Sequence, residues 1–434
     1  LKIYSTDSWW NRIPACFTIT ILLVISFAQA QSADAVHGYV NDYPLPASVV
    51  VVGKEAVIRK KPRMSARRGV ARHGARLPVY AVYDGSGCPD LWFQVHVDGW
   101  VCGRYVDFSD QPPEGVRYPV VPEGKLAPWP YGFVHEEAIE YTRGFGGLQE
   151  VREVLPGFGV GIAGVRRIDG MKYIETAEGN FIPSAAVRWG RVSDFSGVQI
   201  GPGAPWPVGW VLKPKAWVYD SPNSKRKKVD RLERFASFVV EEFFPQSPKP
   251  KFLKTGPGRW IRADDARWTT PASLPVELKP FEKWIDVDTR QQIVVAYEGA
   301  RPVYATMAST GRWGKESETP PGTYRIWAKV SAIAMDNTDE EEETEFTAPD
   351  GGLPPERHLY SLHDVPWTMF FQENFALHGV YWHRSFGYRR SHGCVNLAPS
   401  DAAWFYNWAR PVVPDGWWAI HSSKSDPGTI IKVR

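Results

Sequence analysis

His378 to Leu397 reads HGVYWHRSFGYRRSHGCVNL. Its single cysteine, Cys394, follows Gly393 and stands two residues before Asn396, with His392 two residues upstream and His378 sixteen residues upstream. An unperturbed thiol is mostly protonated at neutral pH. Acyl transfer through a cysteine therefore needs a nearby imidazole to take the proton or pair with the thiolate. A small residue just before the nucleophile lets a carbonyl group approach the main chain, whose N–H groups can hold the developing oxyanion. His378, Gly393 and Cys394 supply these parts.

Residue type alone leaves two rival readings open. Cysteine is among the most buried residue types, and an isolated histidine is more often core or surface than catalytic. His378, His383, His392 and Cys394 are also metal-ligand types. The stretch nevertheless lacks the CxxC or HxxxH pair that usually marks a structural zinc site.

The wider pattern resembles the catalytic domain of the L,D-transpeptidases, cysteine enzymes that cross-link bacterial peptidoglycan. The resemblance rests on His378-Gly379 followed by Ser391-His392-Gly393-Cys394-Val395-Asn396. It is strengthened upstream by QQIVVAYEGARPVYATMASTG (291–311) and TPPGTYRIW (319–327), similar to the family's strands with their Ser-Thr-Gly and Thr-Pro-x-Gly turns. Downstream, LAPSDAAWFYNWA (397–409) resembles the helix after the nucleophile and VVPDGWWAIHSS (412–423) the closing strand. The similarity spans about 280–424, and so many fixed points make it specific.

The resemblance implies Cys394 as nucleophile, His378 as its base, and Gly379 as the residue whose carbonyl orients the imidazole. His392 and Gly393 would shape the pocket, with main-chain N–H groups near Cys394 as the oxyanion hole. Ser391 would fix the loop. Asn396 stands where many members carry Arg and others Asn, so it would hold the loop or contact the donor stem. Tyr360 and Trp367, in HLYSLHDVPWTMFF (358–371), would line the substrate cleft. The alternation of Trp367, Met369 and Phe371 equally fits a core-facing strand. No cofactor and no metal is implied.

The implied reaction is attack of Cys394 on the third residue of a tetrapeptide stem, release of D-alanine, and a thioester resolved by a second stem's amine into a 3→3 cross-link. Water as acceptor gives L,D-carboxypeptidase activity, and a cross-link-cleaving hydrolase is a further variant. The rival of another class is a wall-binding scaffold with an inactive catalytic domain. Expected partners are peptidoglycan stem peptides and glycan strands, with carbapenems as covalent inhibitors at Cys394.

A chain of 434 residues exceeds one ordinary domain. A net charge of +3 gives no basic footprint for nucleic acid. Residues 13–28, IPACFTITILLVISFA, follow Lys2 and Arg12 and end in the small-x-small site Ala28-Gln29-Ala30, which reads as a secretory signal over 1–30. An uncleaved anchor is the alternative, and membrane contact is expected only through it. The expected location is the periplasm or cell envelope.

Cys16 falls within the leader, which leaves Cys88, Cys102 and Cys394. Cys88 and Cys102 flank an expected hairpin, GCPDLWFQVHVDGWVCG, so an oxidising compartment favours a disulfide there and a free Cys394. Such a bond contributes roughly 3 kcal/mol in the loop-entropy account.

Between 38 and 275 three weakly similar units follow one another, at 38–112, 113–203 and 204–275. They close with WFQVHVDGWVCGRYV, YIETAEGNFIPSAAV and FLKTGPGRWIRADDA, each an aromatic strand, a Gly-containing turn and a second strand. The first resembles bacterial SH3-like domains in its Ile-Arg-x-x-Pro segment, and the others are more diverged. These units either bind the wall or act as spacers.

The expected fold is mainly β: SH3-like β-barrels, then an L,D-transpeptidase β-sandwich-like domain with a short helix near 400–409. Ser400 or Asp401 is expected to cap that helix, with Trp404, Phe405 and Trp408 facing the sheet. The acidic run DNTDEEEETE (336–345) reads as a solvated loop, with a lid over the cleft or calcium binding as alternatives.

Overall fold

The structure is a computed structural model that describes residues 38–113, 115–314, 317–336 and 361–434. The expected leader, Tyr360 and all of the acidic run beyond Asp336 lie outside the described residues. The fold is mainly β, with a single α-helix among the described residues, Pro399–Trp408.

The three N-terminal units repeat one plan. Each ends in a hairpin: Trp92–His96 with Gly99–Cys102, Met171–Thr176 with Phe181–Pro183, and Phe252–Gly256 with Arg259–Arg262. One 3-10 turn follows in each case, and a short strand then returns to the strand that opened the unit. Thus Val106–Ser109 pairs antiparallel with Ser48–Val51, Val187–Trp189 with Tyr131–Val134, and Ala266–Trp268 with Val208–Val211. Alternating residues fill each centre: Val49, Ile58 and Val101 in the first, Val134, Ile162 and Ile174 in the second, Val211, Leu253 and Ile261 in the third. In the first unit Cys88 and Cys102 form a disulfide with Cα atoms 5.6 Å apart.

The C-terminal domain packs two sheets face to face. One orders Val198–Gln199, Arg301–Met307, Ile293–Glu298, Lys283–Asp288, Ile430–Val433 and Gly322–Arg325. Its strand Ile430–Val433 runs parallel to Lys283–Asp288 and lies beyond the stretch in which the family resemblance was read. The other sheet runs from Ala419–His421 through Ala328–Asp336, Ser361–Gln372 and Phe375–Gly379 to Val395–Leu397, the last two parallel. Ile285, Val287, Val294 and Ala296 face Met369, Phe371, Leu377, Val395 and Leu397 across the core, which Ala402 and Phe405 of the helix close. Burying the valine, leucine, isoleucine, methionine and phenylalanine side chains among them stabilises the sandwich by roughly 1.5–3 kcal/mol each.

The helix is not capped as the sequence suggests. Pro399 occupies its first turn, and Ala398 at the cap position offers no side-chain hydrogen bond. Asp401 is fully buried and turns to the neighbouring sheet, accepting from Gly197 N at 2.8 Å, Tyr304 Oη at 2.7 Å and Thr306 Oγ1. Ser400 Oγ donates to Phe195 O at 3.1 Å. Both side chains therefore tie the helix to the 190–200 segment and its neighbour strand rather than to its own N-terminal amides.

All three units pack on this domain. In the first, Arg67–Arg72 pairs with Ala419–His421 and so continues the second sheet. Gly69 sits there because a Cβ would meet Trp417 Cε3 at 2.3 Å and Ala419 O at 2.5 Å. Arg68, fully buried, lies within 2.9 Å of Asp98 and 2.8 Å of Asp426 and donates to His421 O. In the second unit Tyr131 stacks on Tyr381 with centroids 3.8 Å apart. In the third, Arg234 Nη2 donates to Arg384 O at 2.9 Å and Arg267 Nε to Gly387 O at 3.1 Å. The loop from Val380 to Arg390, which joins His378 to the nucleophile segment, is thereby held by the second and third units.

Candidate active site

The parallel pairing of Phe375–Gly379 with Val395–Leu397 sets His378 opposite Asn396 and Leu377 opposite Val395. Leu377, Val395 and Leu397 point into the sandwich core. By the twofold alternation of a strand, His378 and Asn396 occupy the other face, and Cys394, one residue before Val395, packs there against Ala376 and Phe370. Histidine and cysteine thus share a face because His378 lies in one strand of hydrophobic alternation and Cys394 stands directly before the other.

His378 is 2% exposed and its Nδ1 lies 3.2 Å from Gly379 O. A carbonyl can only accept, so Nδ1 carries the proton and Nε2 keeps a free lone pair. Burial pushes the imidazole down to about 4, opposed by the Gly379 hydrogen bond. Burial likewise pushes the Cys394 thiol up to about 11, opposed by a hydrogen bond from the Ala376 backbone. Cys394 remains partly exposed, with Asn374 O 3.9 Å from its sulfur. Both shifts favour the neutral forms, a thiol and an imidazole.

The nucleophile loop is fastened from several sides. Gly393 has φ +119°, and a Cβ there would stand 2.1 Å from Phe375 Cε1, so both backbone and space demand glycine. Ser391 Oγ donates to Cys394 O at 2.5 Å and accepts from Gly393 N at 3.1 Å. That commits the Gly393 N–H to the loop itself, so it does not serve as an oxyanion donor. Ser309 N and O bond to Asn396 O and N, each at 2.9 Å. Thr319 Oγ1 donates to Gly393 O at 2.7 Å and accepts from Gly311 N at 2.9 Å.

The remaining expected residues fall in different places. His392 is exposed as a whole residue, and partial desolvation of its ring, then the charge of Arg312, lowers its pKa. Trp367 is 2% exposed in the sandwich core and has φ +57°, so its ring lines no cleft here. The signal was present in its alternation with Met369 and Phe371. Among the described residues no group of three His, Cys, Asp or Glu side chains is placed to hold a metal ion.

Two contributors carry no role in the sequence reading. Thr319 belongs to a quoted turn, yet only the fold shows that its hydroxyl clamps the nucleophile loop. His383, weighed only as a metal-ligand type, stands with Nε2 3.0 Å from the Asn396 side chain. Nothing in sequence spacing announces that pair.

Cys394 and the buried His378 thus share one face of a two-sheet β domain. Residues 282–433 match the family YkuD, the L,D-transpeptidase catalytic domain. A Bacillus subtilis (strain 168) protein whose name provisionally makes it the L,D-transpeptidase YciB is 27% identical over 149 residues, 32% of this chain and 68% of that protein. Among solved structures, an Enterococcus faecium L,D-transpeptidase with its cysteine changed to serine is similar over 35% of this chain and 50% of its own, at 19% identity and TM-score 0.25. The L,D-transpeptidase of Mycobacterium smegmatis covers 43% of this chain and 80% of its own length, at 20% identity and TM-score 0.26. The structure of LdtMt1 in complex with imipenem covers 44% and 80%, at 17% identity and TM-score 0.26.

Proposed function

We propose that this protein is a peptidoglycan L,D-transpeptidase that forms 3→3 cross-links through a Cys394 thioester. The observation that carries the reading is the shared face of His378 and Cys394, with His378 Nδ1 spent on Gly379 O and Nε2 left as base. In the first step the Cys394 proton passes to His378 Nε2 as the sulfur attacks the carbonyl carbon of the stem's third residue. A C–S bond forms, the C–N bond to D-alanine breaks, and the proton on Nε2 goes to the departing amine. The amine of a second stem then attacks the thioester and gives a proton to His378. The C–S bond breaks, and the proton returns to the thiolate.

Export to the periplasm or cell envelope is part of the same proposal. The leader-like segment and the Cys88–Cys102 disulfide support it, since such bonds persist in oxidising compartments. The imipenem complex of LdtMt1 supports a carbapenem as covalent probe of Cys394. The three units, packed on the catalytic domain, would present it to glycan strands as one body.

Mass spectrometry of products from purified disaccharide-tetrapeptide tests the reading, with Cys394→Ala as control. A dimer lighter by one D-alanine, absent with the variant, is expected. Tripeptide alone would mean carboxypeptidase activity, and cleavage of added cross-linked dimer would mean a hydrolase. An unchanged substrate with a reduced Cys394 would leave the wall-binding scaffold.

A further inference from the structure

His383 holds the key to an unpaired polar atom beside the nucleophile. Its Nδ1 lies 3.1 Å from the Ser385 backbone N–H, and its Nε2 lies 3.0 Å from Asn396 Nδ2. Asn396 is 3% exposed, and its other terminal atom, Oδ1, has no hydrogen-bond partner among the described residues.

The donors and acceptors cannot all be satisfied with the carboxamide in that orientation. A backbone N–H only donates, so His383 Nδ1 is the acceptor and bears no proton. A neutral imidazole then carries its proton on Nε2, which would face the Asn396 NH2 as donor against donor. Protonating the ring does not help, because Nδ1 would then oppose the Ser385 N–H. Burial, then the charge of Arg390, pushes this ring down to about 4 and keeps it neutral. Turning the carboxamide over resolves the conflict: Oδ1 accepts from His383 Nε2, and the NH2 group takes the position that has no partner.

We propose that His383 is a positioning residue which fixes the Asn396 carboxamide so that its N–H is a free donor for a carbonyl oxygen of the substrate, on the face shared by Cys394 and His378. The proposal rests on the acyl-transfer reading above. A buried donor without a partner is costly in the empty site and is satisfied by a bound acceptor oxygen. Asn396 N and O are already bonded to Ser309, so the main chain is fixed and only the side chain needs orienting. His383 supplies that orientation from the loop held by the second and third units.

Two measurements test this. Long-range proton–nitrogen NMR correlation of the whole protein near neutral pH is expected to show His383 protonated at Nε2, whereas a proton on Nδ1 overturns the assignment. The second compares acylation of Cys394 by a carbapenem with alkylation by iodoacetamide, which needs no held carbonyl. His383→Leu is expected to slow acylation by about tenfold while alkylation changes by less than about twofold. His383→Gln, which keeps a side-chain N–H near the Nε2 position, is expected to recover most of the loss. Equal acylation of the wild type and His383→Leu overturns the proposal. A wild-type Cys394 that alkylates but never acylates fails the acyl-transfer reading instead. If His383→Leu does not fold, the tautomer decides.

Discussion

The first and third N-terminal units meet the catalytic domain in different ways. The first extends a catalytic sheet by main-chain pairing and buries a whole guanidinium, Arg68, between Asp98 and Asp426. The third lays Arg234 and Arg267 against carbonyls of the loop that precedes the nucleophile. A backbone ladder admits one register, and a buried charge admits no partner but its own. Arginines on loop carbonyls lose less when the contact loosens. The first junction is therefore expected to govern stability, while the third bears on the active-site loop.

The largest expected effect breaks the first junction. Arg68→Ala removes the buried cation that Asp98, Asp426 and His421 O share and should destabilise the protein by about 3–5 kcal/mol in denaturant unfolding. This deficit should shrink in acid. Burial raises the Asp98 pKa, but hydrogen bonds from His96 and Arg68 and their charges more than reverse it and hold the carboxyl well below its usual range. A carboxyl depressed on folding contributes stability present above the unfolded pKa of about 4 and lost as pH falls through the folded one. An unchanged unfolding curve for the variant would erase the proposed contrast.

A change inside the site comes next. Gly393→Ala must abandon φ +119° or displace Phe375, and the resulting shift of Cys394 should lower its carbapenem acylation rate by about 100-fold. Arg267→Ala, at the third junction, should cost only about 1–2 kcal/mol of stability, since the half-buried arginine makes one hydrogen bond across the junction, to Gly387 O, and one to its neighbour Ala266 O. A loss comparable to that of Arg68→Ala would make the two junctions equivalent.

The smallest expected effect is on pH. With His378 pushed down to about 4 and Cys394 up to about 11, the neutral pair exists throughout the interval between them. The acylation rate should then vary by less than about twofold between pH 6 and 9, falling below that only as His378 protonates. A sharp inflection near neutrality would instead indicate a thiolate–imidazolium pair.

The site was legible where chemistry restricts residue types. The proposed nucleophile and base and a glycine with positive φ leave a local signature, and Cys394, His378 and Gly393 carry it. Trp367 was legible as core or cleft, and the core placement follows from the two-residue period it shares with Met369 and Phe371. The helix cap was misread because the residues of its first turn, Ser400 and Asp401, looked free to reach their own amides. Asp401 instead found three donors on chain segments distant in sequence.

By itself the sequence determined the β alternation, the repeated hairpins, the proposed nucleophile with its histidine, and the pairing of Cys88 with Cys102 across a hairpin. These depend on periods of a few residues and on the intrinsic chemistry of side chains, which act at short range along the chain. Only the tertiary structure decided that Arg68, in a run of basic residues, would be buried against Asp426, 358 positions away. It also decided that His383 would orient Asn396, and that Thr319 would hold the carbonyl of Gly393. Such contacts exist only because buried polar groups must find partners wherever the fold brings them, and linear spacing does not encode where that is.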